Sequence, residues 1–318
     1  MGPATMTQPA FHTPVLVDEV IALLADTPAE GEIMDGTVGG GGHSAAILER
    51  IEGSRILAVD RDPNALAAAQ EALAPWEDRV RFLRARFDEG ARGAGLLGPS
   101  LRGALLDLGI SSHQIDDASR GFTFRSDDVA LDMRMSGGAD GGPTAADLLN
   151  EIEETDLVRL LRRYGEEPRA RRLARAVVEC RADAPLRTVG DLIGAMREVY
   201  GREPMAKERA RVFQALRIEV NRELEALEAA LPLLRKALLP GGVLAVISYH
   251  SLEDRIVKNA FREWSRECVC PEGIPVCRCR GHVLGETLTR RVVRPDEREI
   301  ERNPRSRSAR LRGWRKAS

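Results

Sequence analysis

Residues 32–60 read E-I-M-D-G-T-V-G-G-G-G-H-S-A-A-I-L-E-R-I-E-G-S-R-I-L-A-V-D, and this stretch decides the fold class. It predicts an apolar strand from Glu32 to Asp35, a glycine-rich turn, and a helix from about Ser44 to Arg50. A second buried strand is predicted from Arg55 to Asp60. A strand, a helix and a second strand at this spacing form a unit whose two strands are parallel. The sequence therefore predicts an α/β fold built on a mostly parallel sheet.

The same alternation of helices and strands extends in both directions from this stretch. A helix capped by Thr13, with Pro14 at its first position, is predicted over Val15–Leu24. The strand pattern returns late in the chain, at Val243–Ile247. Between them the predicted elements are the helix Asn64–Leu73, capped by Asp62 and Pro63, and the strands Val80–Arg84 and Leu101–Asp107.

The middle of the chain lacks the strand pattern. It contains a long polar loop from Asp116 to Pro143, and a loop of this length inside a compact domain usually has a function. We predict a helical insertion domain over residues 113–205 that recognises the substrate, set between two parts of the sheet-containing domain, residues 1–112 and 206–318. The predicted helices are Ala145–Leu149, Leu157–Tyr164, Arg169–Cys180 and Val189–Val199, with a long amphipathic helix from about Lys207 to Leu239 leading back to the sheet.

The composition is that of a globular protein. Of the 318 residues, 43% are hydrophobic and 30% are charged, and the formal net charge is -2. No apolar run approaches the roughly 20 residues that a membrane-spanning helix needs. The first ten residues have neither the basic nor the apolar region of a signal peptide, so we expect a cytoplasmic protein without a membrane partner.

The glycine-rich turn, Asp35–Ser44, predicts a nucleoside cofactor. Gly41 and Gly42 allow backbone N–H groups to approach a ligand that a Cβ would block. Asp60 ends the second strand, where a carboxylate can accept hydrogen bonds from ribose hydroxyls. The dinucleotide pattern G-x-G-x-x-G fails because Ser44 occupies its third glycine position, which disfavours NAD. S-adenosylmethionine has no pyrophosphate, so a looser glycine turn suffices for it.

Two further features point to the same edge of the sheet. The fourth strand ends in L-L-D-L-G-I-S-S, residues 105–112, with Asp107 at its carboxyl end. Ligands of open α/β sheets bind beyond the carboxyl ends of the strands, so we expect Asp107 to face the cofactor and the substrate. The alternative is that Asp107 caps a helix.

Residues 239–242, L-P-G-G, resemble the helix-to-strand turn found late in class I methyltransferases.

Eight motifs then carry a more specific resemblance. They are H-T-P-V-L at 12–16, D-x-T-x-G-x-G-G-H-S at 35–44, D-R-D at 60–62, L-L-D-L-G-I-S-S at 105–112, R-G-F-T-F at 120–124, L-D-M-R-M at 131–135, S-Y-H-S-L-E-D-R at 248–255 and N-P-R at 303–305. Together they resemble the RsmH family, also called MraW, over nearly the whole chain.

The resemblance implies a class I, Rossmann-like methyltransferase that uses S-adenosylmethionine. Members of that family methylate the exocyclic amino nitrogen, N4, of a cytidine in the decoding region of bacterial 16S ribosomal RNA. The implied partner is this RNA within the small ribosomal subunit. The cofactor contacts implied by the resemblance are Gly41, Gly42, His43, Asp60, Phe87, Asp107 and Gln114.

The group that takes the proton from the methylated amine is not identified by any motif. Amino-methyltransferases of the DNA type place a Pro-Pro-aromatic sequence after the fourth strand, and this chain has residues 108–110, L-G-I, there. Either another loop supplies the acceptor, with Asp132 and His250 as candidate bases, or the proton leaves to water after the transfer. Asp132 has an alternative role as the partner of a neighbouring arginine, and His250 has one as a turn residue.

Two other functions are considered for the chain, that of a non-catalytic RNA-binding protein and that of a nicotinamide oxidoreductase.

Two basic segments could contact RNA. Residues 290–318 contain eleven lysines and arginines but only four acidic residues. This composition predicts either a phosphate-binding segment or a solvated, partly disordered terminus. The predicted helix at 169–181 carries five arginines, but they are spread too widely around its axis to form one stripe.

Four of the five cysteines fall in one short segment. The pattern is Cys268-x-Cys270, six residues, then Cys277-x-Cys279. In a reducing compartment such a set favours a structural zinc ion over disulfides, and the alternative is a surface loop with thiols. No catalytic metal is predicted.

Overall fold

The computed structural model describes residues 14–95, 98–124, 126–271, 276 and 278–318. Two compact units are present. The first, here called the sheet unit, runs up to Gly109 and resumes from Glu225 to Ser318. The second, here called the helical unit, spans Ile110–Leu224. Within the described residues, no helix has the length and apolar character that a membrane span requires.

The sheet unit contains a seven-stranded mixed sheet in the order β3-β2-β1-β4-β5-β7-β6. The five strands from β3 to β5 are parallel, whereas β7 is antiparallel to both of its neighbours. The prediction of a mostly parallel sheet is therefore confirmed. The strands are β1 Glu32–Asp35, β2 Ile56–Asp60, β3 Val80–Arg84, β4 Leu101–Asp107, β5 Leu238–Ser248, β6 Gly285–Thr287 and β7 Arg310–Lys316.

The central strands are buried on both faces because helices cover the sheet on each side. Successive residues of a strand point to opposite faces. Ile33 of β1 accordingly packs in one hydrophobic core and Met34 in the other, and neither is exposed to solvent. The helices are α1 Val17–Ala25, α2 Gly42–Arg50, α3 Pro63–Ala72, α4 Phe87–Gly95, α11 Glu223–Ala237, α12 Ser251–Trp264 and α13 Glu297–Arg302, with 3-10 helices at Ala74–Arg79 and Pro304–Ser308.

Of the two alternatives considered for the basic C-terminal segment, a partly disordered terminus is excluded for residues 310–316. These residues form β7, which pairs with β5 over six residue pairs. Leu311 and Trp314 point into the two cores and are fully buried. Arg312 donates a 2.6 Å hydrogen bond to Asp254. Burial of these two apolar side chains outweighs the cost of ordering the charged residues around them, whose charged groups reach carboxylates or solvent.

The helical unit is made of short and medium helices. They are α5 Ser112–Asp116, α6 Ala145–Glu151, α7 Glu154–Gly165, α8 Ala170–Asp183, α9 Val189–Tyr200 and α10 Ala206–Asn221, with a 3-10 helix at Ala118–Arg120. The second boundary of this unit lies at Leu224 rather than at 205, because α10 packs against α7.

The long helix predicted from Lys207 to Leu239 is wrong. Two helices, α10 and α11, replace it, and Arg222 between them has a left-handed backbone conformation with φ of 51°. The buried Asn221 explains where α10 ends. Its amide nitrogen donates to the carbonyl oxygen of Met133 at 2.7 Å, and its amide oxygen accepts from the backbone N–H of Met135 at 2.8 Å.

Candidate active site

Three aspartates mark the carboxyl ends of neighbouring parallel strands in the sheet unit. Asp35 ends β1, Asp60 ends β2 and Asp107 ends β4. The strand order reverses between β1 and β4, since the chain proceeds to β2 and β3 on one side and to β4 and β5 on the other. Such a reversal leaves a crevice at the carboxyl ends, where open α/β sheets bind their ligands. The sheet thus places these carboxylates at one crevice.

The glycine-rich turn forms one wall of this crevice. Gly39 and Gly41 have φ angles of 51° and 84°, in the left-handed region that favours glycine. An added Cβ at Gly36 would lie 2.5 Å from the Cδ2 of Leu106, so the backbone approaches the sheet too closely for a side chain. Gly42 begins α2, whose first N–H groups point out of the helix end. The turn therefore offers a backbone cradle of the kind that a nucleoside cofactor with an amino-acid moiety fits.

Asp60 stabilises this turn from the end of β2. Its Oδ2 accepts a 2.9 Å hydrogen bond from the backbone N–H of Gly39, and its Oδ1 accepts one of 2.9 Å from Asp62. Burial raises the pKa of Asp60 to about 6. Each carboxylate oxygen keeps a second lone pair. Asp60 can therefore hold the turn and still accept hydrogen bonds from ribose hydroxyls.

Asp35 has a structural role in the same turn. It is buried, and its carboxylate accepts a 2.6 Å hydrogen bond from the hydroxyl of Ser44 and a 3.2 Å bond from the backbone N–H of Thr37. Burial is also the largest influence on its pKa, which is raised. These bonds attach the start of α2 to the end of β1.

Asp107 lies in a cluster with a histidine and a tyrosine. The Tyr249 hydroxyl donates a 3.0 Å hydrogen bond to the Oδ1 of Asp107, and the Nδ1 of His43 lies 3.7 Å from its Oδ2. The Nε2 of His43 is 2.8 Å from the carbonyl oxygen of Val15, which can only accept a hydrogen bond, so Nε2 is the donor. The backbone N–H of Asp107 donates to the hydroxyl of Thr37 at 2.7 Å. The helix that follows β4, α5, is capped by Ser111 rather than by Asp107.

Tyr249 is the residue of this cluster to which the sequence assigned no role. It follows β5 directly, and β5 is the neighbour of β4. Burial, with the nearby Asp107 carboxylate, raises its pKa well above the ordinary value of a tyrosine, so the hydroxyl stays protonated and acts as a donor. The sequence signal that could have identified Tyr249 is its phenol group one residue beyond the end of a predicted parallel strand.

The other predicted cofactor residues are divided between the two units. Phe87 begins α4, and an added Cβ at Gly36 would lie 3.2 Å from the Cβ of Phe87, which places this phenylalanine beside the glycine-rich turn. Gln114 belongs to the helical unit. Its amide donates to the carbonyl oxygen of Met135 at 3.0 Å and accepts from the backbone N–H of Ser111 at 3.1 Å. Its contact with the cofactor stays a prediction.

The two candidate bases each have a partner in their own unit. Arg134 binds both carboxylate oxygens of Asp132 through its guanidinium, at 2.9 and 2.6 Å. His250 caps α12, and its Nε2 lies 3.0 Å from a carboxylate oxygen of Glu253. The Asp132 contact is the alternative role considered for that residue, whereas His250 is a helix cap rather than a turn residue. A role in proton transfer stays a prediction for each residue.

Comparison with known proteins settles the family. A model of the MraW methylase family matches residues 9–317. The chain belongs to the MraW methylase family. A ribosomal RNA small subunit methyltransferase H from Gemmatimonas aurantiaca is 53% identical over 309 residues, covering 96% of both chains. A protein of the same name from Heliobacterium modesticaldum is 48% identical over 308 residues, covering 95% of this chain and 97% of its own.

Membership of this family confirms the resemblance read from the motifs. It also confirms the prediction of an S-adenosylmethionine-dependent methyltransferase, and the two alternatives, a non-catalytic RNA-binding protein and a nicotinamide oxidoreductase, are set aside. A solved rRNA methylase from Streptococcus thermophilus aligns with 99% of this chain and all of its own, at 9% identity and a TM-score of 0.42. The assignment to the family rests on the family model and the curated relatives.

Proposed function

We propose that this chain methylates N4 of a cytidine in the decoding region of 16S ribosomal RNA, using S-adenosylmethionine. The observation that carries the proposal is the match to relatives named ribosomal RNA small subunit methyltransferase H along almost their whole length. The choice of cytidine and of its N4 atom is supported by the eight sequence motifs. The proposed substrate is the RNA within the small ribosomal subunit, and the proposed location is the cytoplasm.

The crevice at the ends of β1, β2 and β4 is the proposed cofactor site. S-adenosylmethionine, when bound, supplies an electrophilic methyl group on a sulfonium. The residues fit this cofactor because Asp60 can accept from ribose hydroxyls and the turn at Gly39–Gly42 has room for the amino-acid moiety. His43 and Phe87 lie next to the same turn and would complete the contacts within the sheet unit.

The cluster around Asp107 is the proposed site for the reacting amine. An exocyclic amine is a poor nucleophile because its lone pair is delocalised into the ring, so catalysis depends on holding it in line with the methyl group. Asp107 can accept a hydrogen bond from such an amine, and the Tyr249 hydroxyl fixes the orientation of this carboxylate. In this proposal Tyr249 is a positioning residue that acts through Asp107.

The helical unit is proposed to bind the RNA backbone. Two of the five arginines at 169–181 are used inside the unit itself. The Arg169 guanidinium stacks 4.5 Å from the ring centroid of Tyr200, and Arg181 donates 2.7 Å hydrogen bonds to the carbonyl oxygens of Leu149 and Ile152. These two arginines therefore stabilise the helical unit itself, and only the other three arginines of this segment are left to contact RNA.

The remaining three arginines of this segment share one groove with two arginines of α7. The groove has a volume of about 620 Å³ and is formed by α7, α8 and the end of α9. Among the residues that the structure describes, only one of the five groove arginines, Arg159, forms an ion pair, with Asp156. Five exposed guanidinium groups along one groove suit a row of phosphates. The groove arginines are Arg159, Arg162, Arg171, Arg172 and Arg175, and the glutamates beside them are Glu154, Glu179 and Glu198.

The proposed reaction is tested with S-adenosylmethionine labelled on its methyl group. Purified protein is incubated with small ribosomal subunits from cells that lack the modification, and labelled RNA is digested and mapped by mass spectrometry. We expect one labelled N4-methylcytidine in the decoding region. Label on another nucleotide, or on protein alone, would contradict the proposal. Naked 16S RNA serves as the parallel substrate, and stronger labelling of the subunit supports the assembled particle.

A further inference from the structure

Three cysteines outside the active site come together in the sheet unit. Cys268 and Cys270 follow the end of α12, and Cys279 lies on the segment that leads to β6. One sulfur atom from each lies within 4.8 Å of the other two. The Sγ atoms of Cys268 and Cys279 are 3.8 Å apart. The chain therefore folds back so that the Cys279 thiol meets thiols that precede it by nine and eleven residues.

The segment between α12 and β6 is closed at its base by several contacts. The backbone N–H of Leu284 donates to the carbonyl oxygen of Trp264 at 2.8 Å. Arg280 forms an ion pair with the Glu263 carboxylate at 2.5 Å and donates to the carbonyl oxygen of Arg266 at 3.1 Å. These contacts join the two ends of the segment independently of the thiols, so the cysteines are brought together by the fold.

The spacing of the sulfur atoms fits a metal better than a disulfide. A disulfide has an S–S distance of about 2.05 Å. Two thiolates bound to one zinc ion at about 2.3 Å in tetrahedral geometry are about 3.8 Å apart. The Cys268–Cys279 separation is 3.8 Å. The backbone N–H of Val269 also donates to the Cys279 sulfur at 3.3 Å, a bond that stabilises a thiolate.

We propose that Cys268, Cys270 and Cys279 bind one zinc ion that fixes the segment between α12 and β6. Thiolate sulfur is a soft ligand, and a compact set of thiolates selects zinc among the common divalent metals. Cys277, the fourth cysteine of the sequence pattern, lies outside the described residues. The proposed ion is structural, and the inference does not depend on the proposed RNA substrate.

The zinc content of the purified full-length chain tests this inference. Protein produced with zinc in the medium, kept reduced and passed through a desalting column, is analysed by inductively coupled plasma mass spectrometry for zinc, iron and copper. We expect about one zinc ion per chain, since structural thiolate sites hold their metal through purification. A thiol-reactive mercurial should release this zinc, measured with a chromogenic zinc indicator.

Matched serine variants connect the zinc to the three thiols. Cys268→Ser and Cys279→Ser should lose most of the bound zinc, whereas Cys180→Ser, which alters a half-buried cysteine of α8, should keep it. If a variant fails to fold, mercurial release from the unaltered chain still reports the site. Zinc-free reduced protein, iron or copper in place of zinc, or unchanged zinc in both Cys268→Ser and Cys279→Ser would overturn the inference.

Discussion

At the scale of single residues, the position of Asp60 links cofactor binding to pH. Its pKa is raised by burial to about 6, and hydrogen bonds from ribose hydroxyls to its oxygens favour the ionised form. Binding of S-adenosylmethionine should therefore release a proton below pH 6, and affinity should fall as the pH drops through about 6. Isothermal titration calorimetry from pH 5 to 8, in buffers of different ionisation enthalpy, measures both effects.

The variant Asp60→Asn provides the control for this titration. An asparagine cannot ionise, so its affinity should be weaker by roughly 10–100-fold at pH 8 and independent of pH between 5 and 8. A pH dependence that persists in Asp60→Asn would assign the titration to another group. The free energy of unfolding of the unliganded protein should depend on pH in the opposite direction to cofactor affinity. The raised pKa of Asp60 stabilises the fold most below the unfolded value, near 3.8, and this contribution is lost as the pH rises through about 6.

Tyr249 gives a second test at the residue scale. Tyr249→Phe removes the 3.0 Å hydrogen bond to Asp107 and leaves the ring in place. Because hydrogen bonds to charged groups contribute about 1.5–3 kcal/mol, kcat should fall by roughly tenfold or more while KM for the RNA is unchanged. Single-turnover methyl transfer measures this. The matched control is Tyr200→Phe, which removes a 2.7 Å bond to Glu167 in the helical unit and should leave kcat unchanged.

At the scale of elements, the groove formed by α7, α8 and α9 makes the RNA-binding proposal testable. The double substitution Arg171→Gln with Arg175→Gln should weaken binding to the small subunit and lower the slope of log affinity against log salt by about 1–2. Calorimetry should find cofactor affinity unchanged. Arg187→Gln, an exposed arginine outside the groove, is the control. If the slope of log affinity against log salt is the same for the unaltered chain, the double variant and Arg187→Gln, the groove contacts no phosphates. An acidic protein would then be the partner to test for this groove.

The elements differ in how far they could be predicted from the sequence. β1, β2 and β4 were predicted within one residue because their apolar runs are buried on both faces of the sheet. β7 was missed because charged residues dominate its composition, and its two large apolar residues, Leu311 and Trp314, are three apart and pack on opposite faces of the sheet. The break at Arg222 was missed because a polar residue in an amphipathic pattern does not reveal its backbone angles, which depend on contacts of Asn221 that are distant in sequence.

The residues of the candidate site likewise divide into those that a local sequence pattern predicts and those that depend on packing between distant segments. Asp60 and Asp107 could be placed because a strand end fixes both a position and a direction. Tyr249 required knowledge that β5 lies next to β4, a fact of sheet order that no local pattern contains. The groove arginines required the packing of two helices, since α7 and α8 each supply only part of the set.

At the scale of the whole molecule, the stability of the fold should depend strongly on Trp314. This side chain is fully buried and packs against Trp264 and Phe261, with ring centroids 5.1 and 6.4 Å away. Trp314→Ala should lower the free energy of unfolding by about 3–5 kcal/mol, because it leaves a large cavity under the sheet. Urea titration of the full-length chain measures the change. Trp76→Ala, at a half-buried position, is the control and should cost less.

The place of β7 between β5 and β6 also has a consequence for how the molecule is made. A nascent polypeptide that ends at residue 309 has every parallel strand but leaves one side of β5 without its neighbour, and β6 without the strand it pairs with. An unpaired strand edge is prone to association with other chains. β7 can therefore complete the sheet only after residues 310–316 are free to pair, and a chain truncated before them should be prone to aggregation.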